Sequence, residues 1–579
     1  MKFLIPSLYL LCSSQLVLAS VPVQADREPE AATGYYQQQL VQAERFMVSA
    51  AHPLATQAGI RVLQQGGSAI DAAIAVQLVL GLVEAQSSGI GGGAFILHWD
   101  QTKQQMTTFD GRETAPKAAT EQLFMQGDNA MPWREAYVGG KSVGVPGLFA
   151  AMHQAHQRYG TLAWEQLFED AIQLASDGFP VSDRMARQLA VGWNQGIQHS
   201  PAASAYFYPD GKPLQAGTVI TNQAYADILR QVAEHGPNAF YQGGNAAAIA
   251  ETVQQAPVNA GTLAVTDLAA YQAVERDPVC GSYRSYTICG MPPPSSGGIA
   301  VVQILGLLER FELDQLAPDS IEAIHLFALA SQLAFVDRDH YVADTDFIEV
   351  PTQQLIEPSY LAARSALIQP DKALSEVRPG QPVANLARSS SLSPELSNTT
   401  HFSIVDANGN AVSMTSSIEN VFGSGLMVNG YLLNNQLTDF SLAPELDGEL
   451  VANRVQGGKR PRSSMSPVMV FDGDGSLRIV LGSPGGSRII NYVAQTLVAL
   501  IDWQLDIQSA INLPRVTHRN DFLALEKGTA IAQHQSALEQ MGHQVRIIDL
   551  NSGLHGIVLL DAGLQGGADP RREGQVLGH

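Results

Sequence analysis

Three stretches of the chain combine residue types that can do chemistry. The first is Asn398-Thr399-Thr400-His401, where a stretch rich in Ser, Pro, Arg and Gly (375–398) gives way to an alternating segment. A threonine hydroxyl ionises far above neutrality and needs a base. An α-amino group, whose ordinary pKa is about 7.7–8.0, can serve if the peptide bond ahead of Thr399 is cut to release it. The competing reading is a threonine pair that merely opens a strand. The second stretch, Gly482-Ser483-Pro484-Gly485-Gly486-Ser487-Arg488, either offers adjacent backbone N–H groups to an oxyanion or forms a tight strand-to-helix turn. The third group is dispersed: Asp110-Gly111-Arg112-Glu113, Asn434-Asn435-Gln436-Leu437-Thr438-Asp439 and Arg462-Ser463-Ser464-Met465-Ser466-Pro467. Arg with two Ser hydroxyls grips a carboxylate, while Gln and Asp accept from an ammonium. Together they recognise an amino-acid head group; singly, each is a turn or a cap.

Other chemistries lack their signatures. Gly89-Ile90-Gly91-Gly92-Gly93-Ala94 follows a helical pattern rather than a strand, so it does not read as a dinucleotide loop. Gly140-Lys141-Ser142 has Glu135 where a phosphate loop needs glycine. Asp337-Arg338-Asp339-His340, with Asp344 and Asp346, lacks calcium-loop spacing and reads as a solvated face or as structural salt bridges. The 14 histidines are scattered without zinc-site spacing, so no metal is required. A net charge of −21 with no concentration of Lys or Arg leaves no footprint for nucleic acid or an anionic membrane.

These residues must be positioned by a large core. With 45% hydrophobic and 15% charged residues over 579, the chain is too apolar and too sparsely charged for disorder. Met1-Lys2, the apolar run Phe3 to Ala19 and small residues up to Ala25 form a secretory signal, with Ala25 the preferred cut. Export follows, with the periplasm as the expected destination. No later segment reaches membrane-spanning length, so no stable anchor is expected. Residues 26–260 read mainly as helices, including Leu54 to Gln65, a Ser68-capped helix to about Glu84, and Leu148 to Arg158. Helices from about Ile299 to Phe311 and Ser320 to Tyr341 follow, the second capped by Asp319. Strand pairs are predicted at Thr400 to Val405 with Asn410 to Ser417, and at Pro467 to Phe471 with Ser476 to Leu481. Helices on strand pairs imply an α+β layered architecture. Cys280 and Cys289 flank a hairpin-like segment and are either a cross-strand disulfide or two buried thiols.

Taken together, these features resemble the γ-glutamyltransferase (γ-glutamyl transpeptidase) family of N-terminal nucleophile hydrolases. The resemblance covers nearly all of the chain beyond residue 25. It includes Asp71-Ala72-Ala73, Gly89 to Gly93, Gly144-Val145-Pro146-Gly147, Pro292 to Gly298, the run from Asn398 to Asn435 and Asp569-Pro570-Arg571. It implies a four-layer αββα sandwich and autocatalytic cleavage between Asn398 and Thr399. A large subunit, 26–398, and a small one, 399–579, would then build one shared domain. By the same resemblance Thr399 is the nucleophile in processing and catalysis, Ser417 its supporting hydroxyl, and Gly485 and Gly486 the oxyanion donors. Arg112, Ser463 and Ser464 would take the α-carboxylate, and Gln436 and Asp439 the α-amino group. The implied partners are a glutathione-like γ-glutamyl donor and, as acceptor, water or the amine of an amino acid or peptide; no cofactor is implied.

The chain departs from the family pattern at three places. Ser417 stands where many members have a second Thr. Glu419 stands where Asn is usual and would add a carboxylate beside the α-amino group. The segment from Ser441 to Arg462, which would form a lid, is shorter than in enterobacterial members and has no tyrosine. An acylase for glutaryl or cephalosporin side chains is the alternative within the fold, but its donor leaves Gln436, Asp439 and Glu419 little to bind. A non-catalytic relative would have no use for Thr399 or Gly485-Gly486.

Overall fold

The computed structural model describes residues 35–383, 390 and 398–579; the expected signal segment and most of the polar stretch ahead of Asn398 lie outside the described residues. Two seven-stranded antiparallel sheets organise the chain. The first runs β14 (Gln575–Gly578), β2 (Met47–Ala50), β8 (Thr400–Val405), β9 (Ala411–Ser417), β3 (Gly93–Asp100), β4 (Gln105–Gly111), β5 (Val274–Arg276). The second runs β1 (Val41–Ala43), β13 (Leu564–Ala568), β12 (His555–Leu559), β11 (Leu477–Gly482), β10 (Val468–Phe471), β7 (Tyr286–Gly290), β6 (Val279–Tyr283).

Helices cover the outer faces. α1 (Pro53–Gln64), α2 (Ala69–Val83) and α3 (Leu148–Tyr159) share a core with Val48, Ile96, Phe402, Ile404 and Met414 of the first sheet. α4 (Gly297–Leu308), α5 (Ile321–Tyr341) and α6 (Ile489–Ile501) share another with Ile288, Val470 and Leu481 of the second. Phe95, Leu97 and Trp99 point the opposite way from Ile96 and join that second core. The layers are therefore α, β, β, α, as the resemblance implies.

Four details differ from the sequence reading or decide it. The region expected to be mainly helical contains β3 and β4, two inner strands of the first sheet. β3 is buried on both faces, which removes the polar–apolar alternation that marks a strand. The cap of α5 is Ser320, not Asp319: the Ser320 hydroxyl accepts from the Ala323 N–H at 3.2 Å. Asp337 is buried against Arg364 at 3.1 Å, so that acidic run is structural and not a solvated face. Cys280 and Cys289 are directly opposed on β6 and β7 and form a disulfide.

α2 begins in a way its sequence dictates. Ser68 and Asp71 form a reciprocal capping box. Asp71 Oδ2 also accepts from Thr161 N and Oγ1 at 2.9 and 2.7 Å and from Leu162 N at 3.1 Å, tying the helix start to the loop after α3. Removing a buried carboxylate that satisfies so many donors leaves them unpaired. We expect Asp71→Ala to lower unfolding free energy by roughly 3 kcal/mol in urea titrations. An unchanged midpoint would contradict this role.

Candidate active site

The antiparallel pairing of β8 with β9 sets Thr400 opposite Ser416, so Thr399 and Ser417 meet at one end of the pair. Thr399 Oγ1 donates to Ser417 Oγ at 3.3 Å, and Ser417 Oγ donates to the Asn398 carbonyl at 2.8 Å. Glu419 N–H donates to the same Ser417 oxygen at 2.9 Å. A hydroxyl has one proton and two acceptor sites, and Ser417 uses all of them. A continuous hydrogen-bonded path therefore runs from the Thr399 hydroxyl to the carbonyl of the peptide bond that precedes it. Arg572 Nη1 holds the Thr399 carbonyl at 3.3 Å from the other side. The Gly89–Gly93 run is packing: a Cβ on Gly92 would lie 2.2 Å from the Ser417 carbonyl oxygen, so only glycine lets the chain pass there.

β11 leads into the second motif. Gly485 and Gly486 have φ of 138° and 58°, backbone conformations natural to glycine, and the turn then enters α6. Gly486 joins a cleft lined by Thr399, Ser417, Glu419, Arg112, Gln436, Asp439, Ser463 and Ser464. All the predicted catalytic and head-group side chains thus meet in one place, with Gly485 the neighbour of Gly486 in the turn. Met465 and Ile489 complete the lining and were not singled out from sequence.

Arg112, fully buried at the end of β4, donates from Nη2 to Asp439 Oδ2 at 2.5 Å and to the Arg462 carbonyl at 2.8 Å. Gln436 Nε2 donates to Asp439 Oδ2 at 2.8 Å. Glu419 has φ of 74°, unusual for a residue with a side chain, and its Oε2 accepts from Asn435 Nδ2. Arg338, from the acidic run, donates to Ser464 Oγ at 2.6 Å and to Ser296 Oγ at 2.9 Å. Ser296 in turn donates to the Ser463 carbonyl at 2.8 Å, so the Pro292–Gly298 motif buttresses the serine pair. Asn453 joins the two halves of the pocket: its Nδ2 donates to the Asp439 carbonyl at 2.7 Å and its Oδ1 accepts from Arg462 N at 3.0 Å. The segment expected as a lid carries a short exposed hairpin, Glu445–Leu446 with Glu449–Leu450.

Among the described residues no group of three or more His, Cys, Asp or Glu is placed to hold a metal, and no helix is long and apolar enough to cross a membrane. Two antiparallel sheets between helical layers, with a threonine at the head of an inner strand facing a glycine turn, define the architecture of the N-terminal nucleophile hydrolases. The profile of the gamma-glutamyltranspeptidase family matches residues 55–579. The glutathione hydrolase proenzyme of Escherichia coli K12 is 38% identical over 545 residues, covering 92% of this chain and 91% of that protein. A cephalosporin acylase from Bacillus halodurans superposes with a TM-score of 0.83 at 28% identity, covering 94% of this chain and 97% of that one. The Helicobacter pylori gamma-glutamyltranspeptidase structure gives a TM-score of 0.56 at 33% identity, covering 61% of this chain and 99% of that one. The chain belongs to the gamma-glutamyltranspeptidase family and is an enzyme of it.

Glu113 lies beside Arg112 at 3.6 Å with its carboxylate fully buried. Burial outweighs the pull of Arg112 and pushes its pKa up to about 8. The unfolded carboxyl titrates near its ordinary 4.5, so between these values the folded protein binds one more proton. Stability from this group is therefore present at low pH and lost as pH rises toward 8. We expect Glu113→Gln, which stays neutral, to flatten the fall in urea midpoint between pH 5 and 8; an equally steep fall in the variant would contradict it.

Proposed function

We propose that the chain cuts itself between Asn398 and Thr399 and then acts as a γ-glutamyl hydrolase and transferase on glutathione and related donors. In processing, Thr399 Oγ attacks the Asn398 carbonyl carbon, the C–N bond breaks as nitrogen takes a proton, and water hydrolyses the resulting ester. The Ser417 hydroxyl, bonded to both the attacking oxygen and the carbonyl, supports this assignment. The products are a large subunit, 26–398 after signal removal, and a small one, 399–579, in one shared domain. In turnover, the freed Thr399 amine takes the proton from Oγ as it attacks the γ-glutamyl carbonyl. Gly485 and Gly486 hold the oxyanion, and the acyl-enzyme passes to water or to an amine.

The donor assignment rests on the Arg112–Asp439 ion pair inside the cleft. A zwitterionic head group satisfies both partners, its carboxylate meeting Arg112 with Ser463 and Ser464, and its ammonium meeting Asp439 with Gln436. Glu419 adds a second carboxylate on the ammonium side. A glutaryl chain draws Arg112 away from Asp439 and returns nothing, and separating a buried ion pair in this way costs about 3–5 kcal/mol. The acylase named among the structural relatives makes this the comparison to run. Export is part of the same proposal, supported by the N-terminal signal pattern and by a disulfide of the kind that persists in oxidising compartments.

We expect the purified protein to migrate as two fragments, with Thr399-Thr400-His401 at the start of the smaller. Thr399→Ala should remain one chain with no amidase activity. Wild type should turn over a γ-glutamyl anilide at least about a hundredfold faster than a glutaryl anilide, and Asp439→Asn should narrow that gap. Faster turnover of the glutaryl compound would overturn the donor assignment.

A further inference from the structure

Self-cleavage needs more than a nucleophile. The carbonyl it attacks must be held still while an acyl group migrates from nitrogen to oxygen, and small misplacements are expensive in rate. The Asn398 side chain is fully buried, and both ends of its amide are bonded to consecutive residues of the loop after α2. Its Nδ2 donates to the Gln86 backbone carbonyl, and its Oδ1 accepts from Ser87 Oγ at 2.9 Å. The orientation of the amide is fixed by chemistry: a carbonyl only accepts, so the NH₂ end must face Gln86 and the oxygen must face the Ser87 hydroxyl.

That loop is built into the frame that carries Ser417. Ile418 N–H donates to the Ser87 carbonyl at 3.3 Å, and Phe422 N–H donates to the Gln86 carbonyl at 3.0 Å. Ser87 N–H itself closes a turn onto the Glu84 carbonyl at 2.8 Å. The Asn398 side chain and the Asn398 main-chain carbonyl are thus both held by groups fixed to one segment, the first by Gln86 and Ser87 and the second by Ser417. Ser87 does not line the substrate cleft.

We propose that the Gln86–Ser87 loop is a positioning clamp for self-cleavage, with Ser87 the side chain that seats Asn398. The proposal rests on the cut between Asn398 and Thr399 proposed above. Its chemistry is that of the uncatalysed partners: Thr399 Oγ forms the new C–O bond, the Asn398–Thr399 C–N bond breaks, the hydroxyl proton goes to nitrogen, and water completes hydrolysis. Ser87 exchanges no proton. Its role ends with the cut, because Asn398 then becomes a chain end and the donor site is built from other residues.

The test follows conversion of freshly purified full-length precursor on denaturing gels for wild type, Ser87→Ala, Ser87→Thr, Asn398→Ala and the Ser87→Ala/Asn398→Ala double variant. We expect each alanine variant to cut about tenfold or more slowly, Ser87→Thr to retain most of the rate, and the double variant to be no slower than the singles. Once cut, Ser87→Ala should show wild-type KM and kcat on a γ-glutamyl anilide. Ser87→Ala or Asn398→Ala cutting at the wild-type rate would overturn the clamp, as would additive losses in the double variant or an altered KM or kcat in cut Ser87→Ala. Should Ser87→Ala fail to fold, Asn398→Ala and Ser87→Thr decide the matter. A wild type that never splits at this bond would instead sink the processing assignment itself.

Discussion

The relation between Thr399 and the Gly485–Gly486 turn depends on how the two sheets are fastened together, and at this point the fastening is polar. Ser403 Oγ on β8 donates to the His555 carbonyl on β12 at 3.0 Å, and Ser413 Oγ on β9 donates to the Leu481 carbonyl on β11 at 3.0 Å. His401 sits between them, with one ring nitrogen 2.8 Å from Thr415 Oγ1 and the other 3.2 Å from Ser403 Oγ. Burial holds its pKa well below the usual histidine range, so the ring is neutral and shares hydrogen bonds without carrying charge. Apolar packing would let the sheets slide by fractions of an ångström; directional bonds to backbone carbonyls do not. The strand that starts after Thr399 is thereby registered against the strand that ends before Gly485.

The low charge content takes on meaning inside the molecule. Arg112, Arg184, Arg462, Arg488, Arg515, Arg571 and Arg572 are fully buried. Arginine stays protonated in such places and presents a rigid fork of donors, which suits it to holding carbonyls and carboxylates where water cannot. Arg571 is bound by Glu526 and Asp569, and its neighbour Arg572 reaches the Thr399 carbonyl, so the end of the C-terminal motif is tied to Thr399. Scarce charges have been spent on geometry.

What was legible in the sequence followed from local chemistry. Thr399, the glycine pair and the head-group candidates each sit in a short motif that also has a plain structural reading, so it was their joint resemblance to one family that set them apart, and all but Gly485 line one cleft. Hairpins and helix starts were legible where turns and caps are written into a few adjacent residues. β3 and β4 were not, because burial on both faces erases the period on which strand recognition depends. Arg338 was hidden for a different reason. Its surroundings in the chain are acidic and suggest a surface, whereas its partners, Ser296 and Ser464, come from distant segments. The cysteine pair left two readings open until strand register placed them opposite one another.

The order of strands in the first sheet has one more consequence. Going across it, β14 belongs to the part after Asn398, β2 to the part before, β8 and β9 to the part after, and β3, β4 and β5 to the part before. The two parts are interleaved like the teeth of a zip. A molecule cut at Asn398–Thr399 would have no detachable subunit, since parting the pieces means opening the central sheet. Its unfolding would release two chains, and its refolding would become a bimolecular encounter that slows with dilution. The cut would exchange thermodynamic reversibility for persistence governed by the rate of opening.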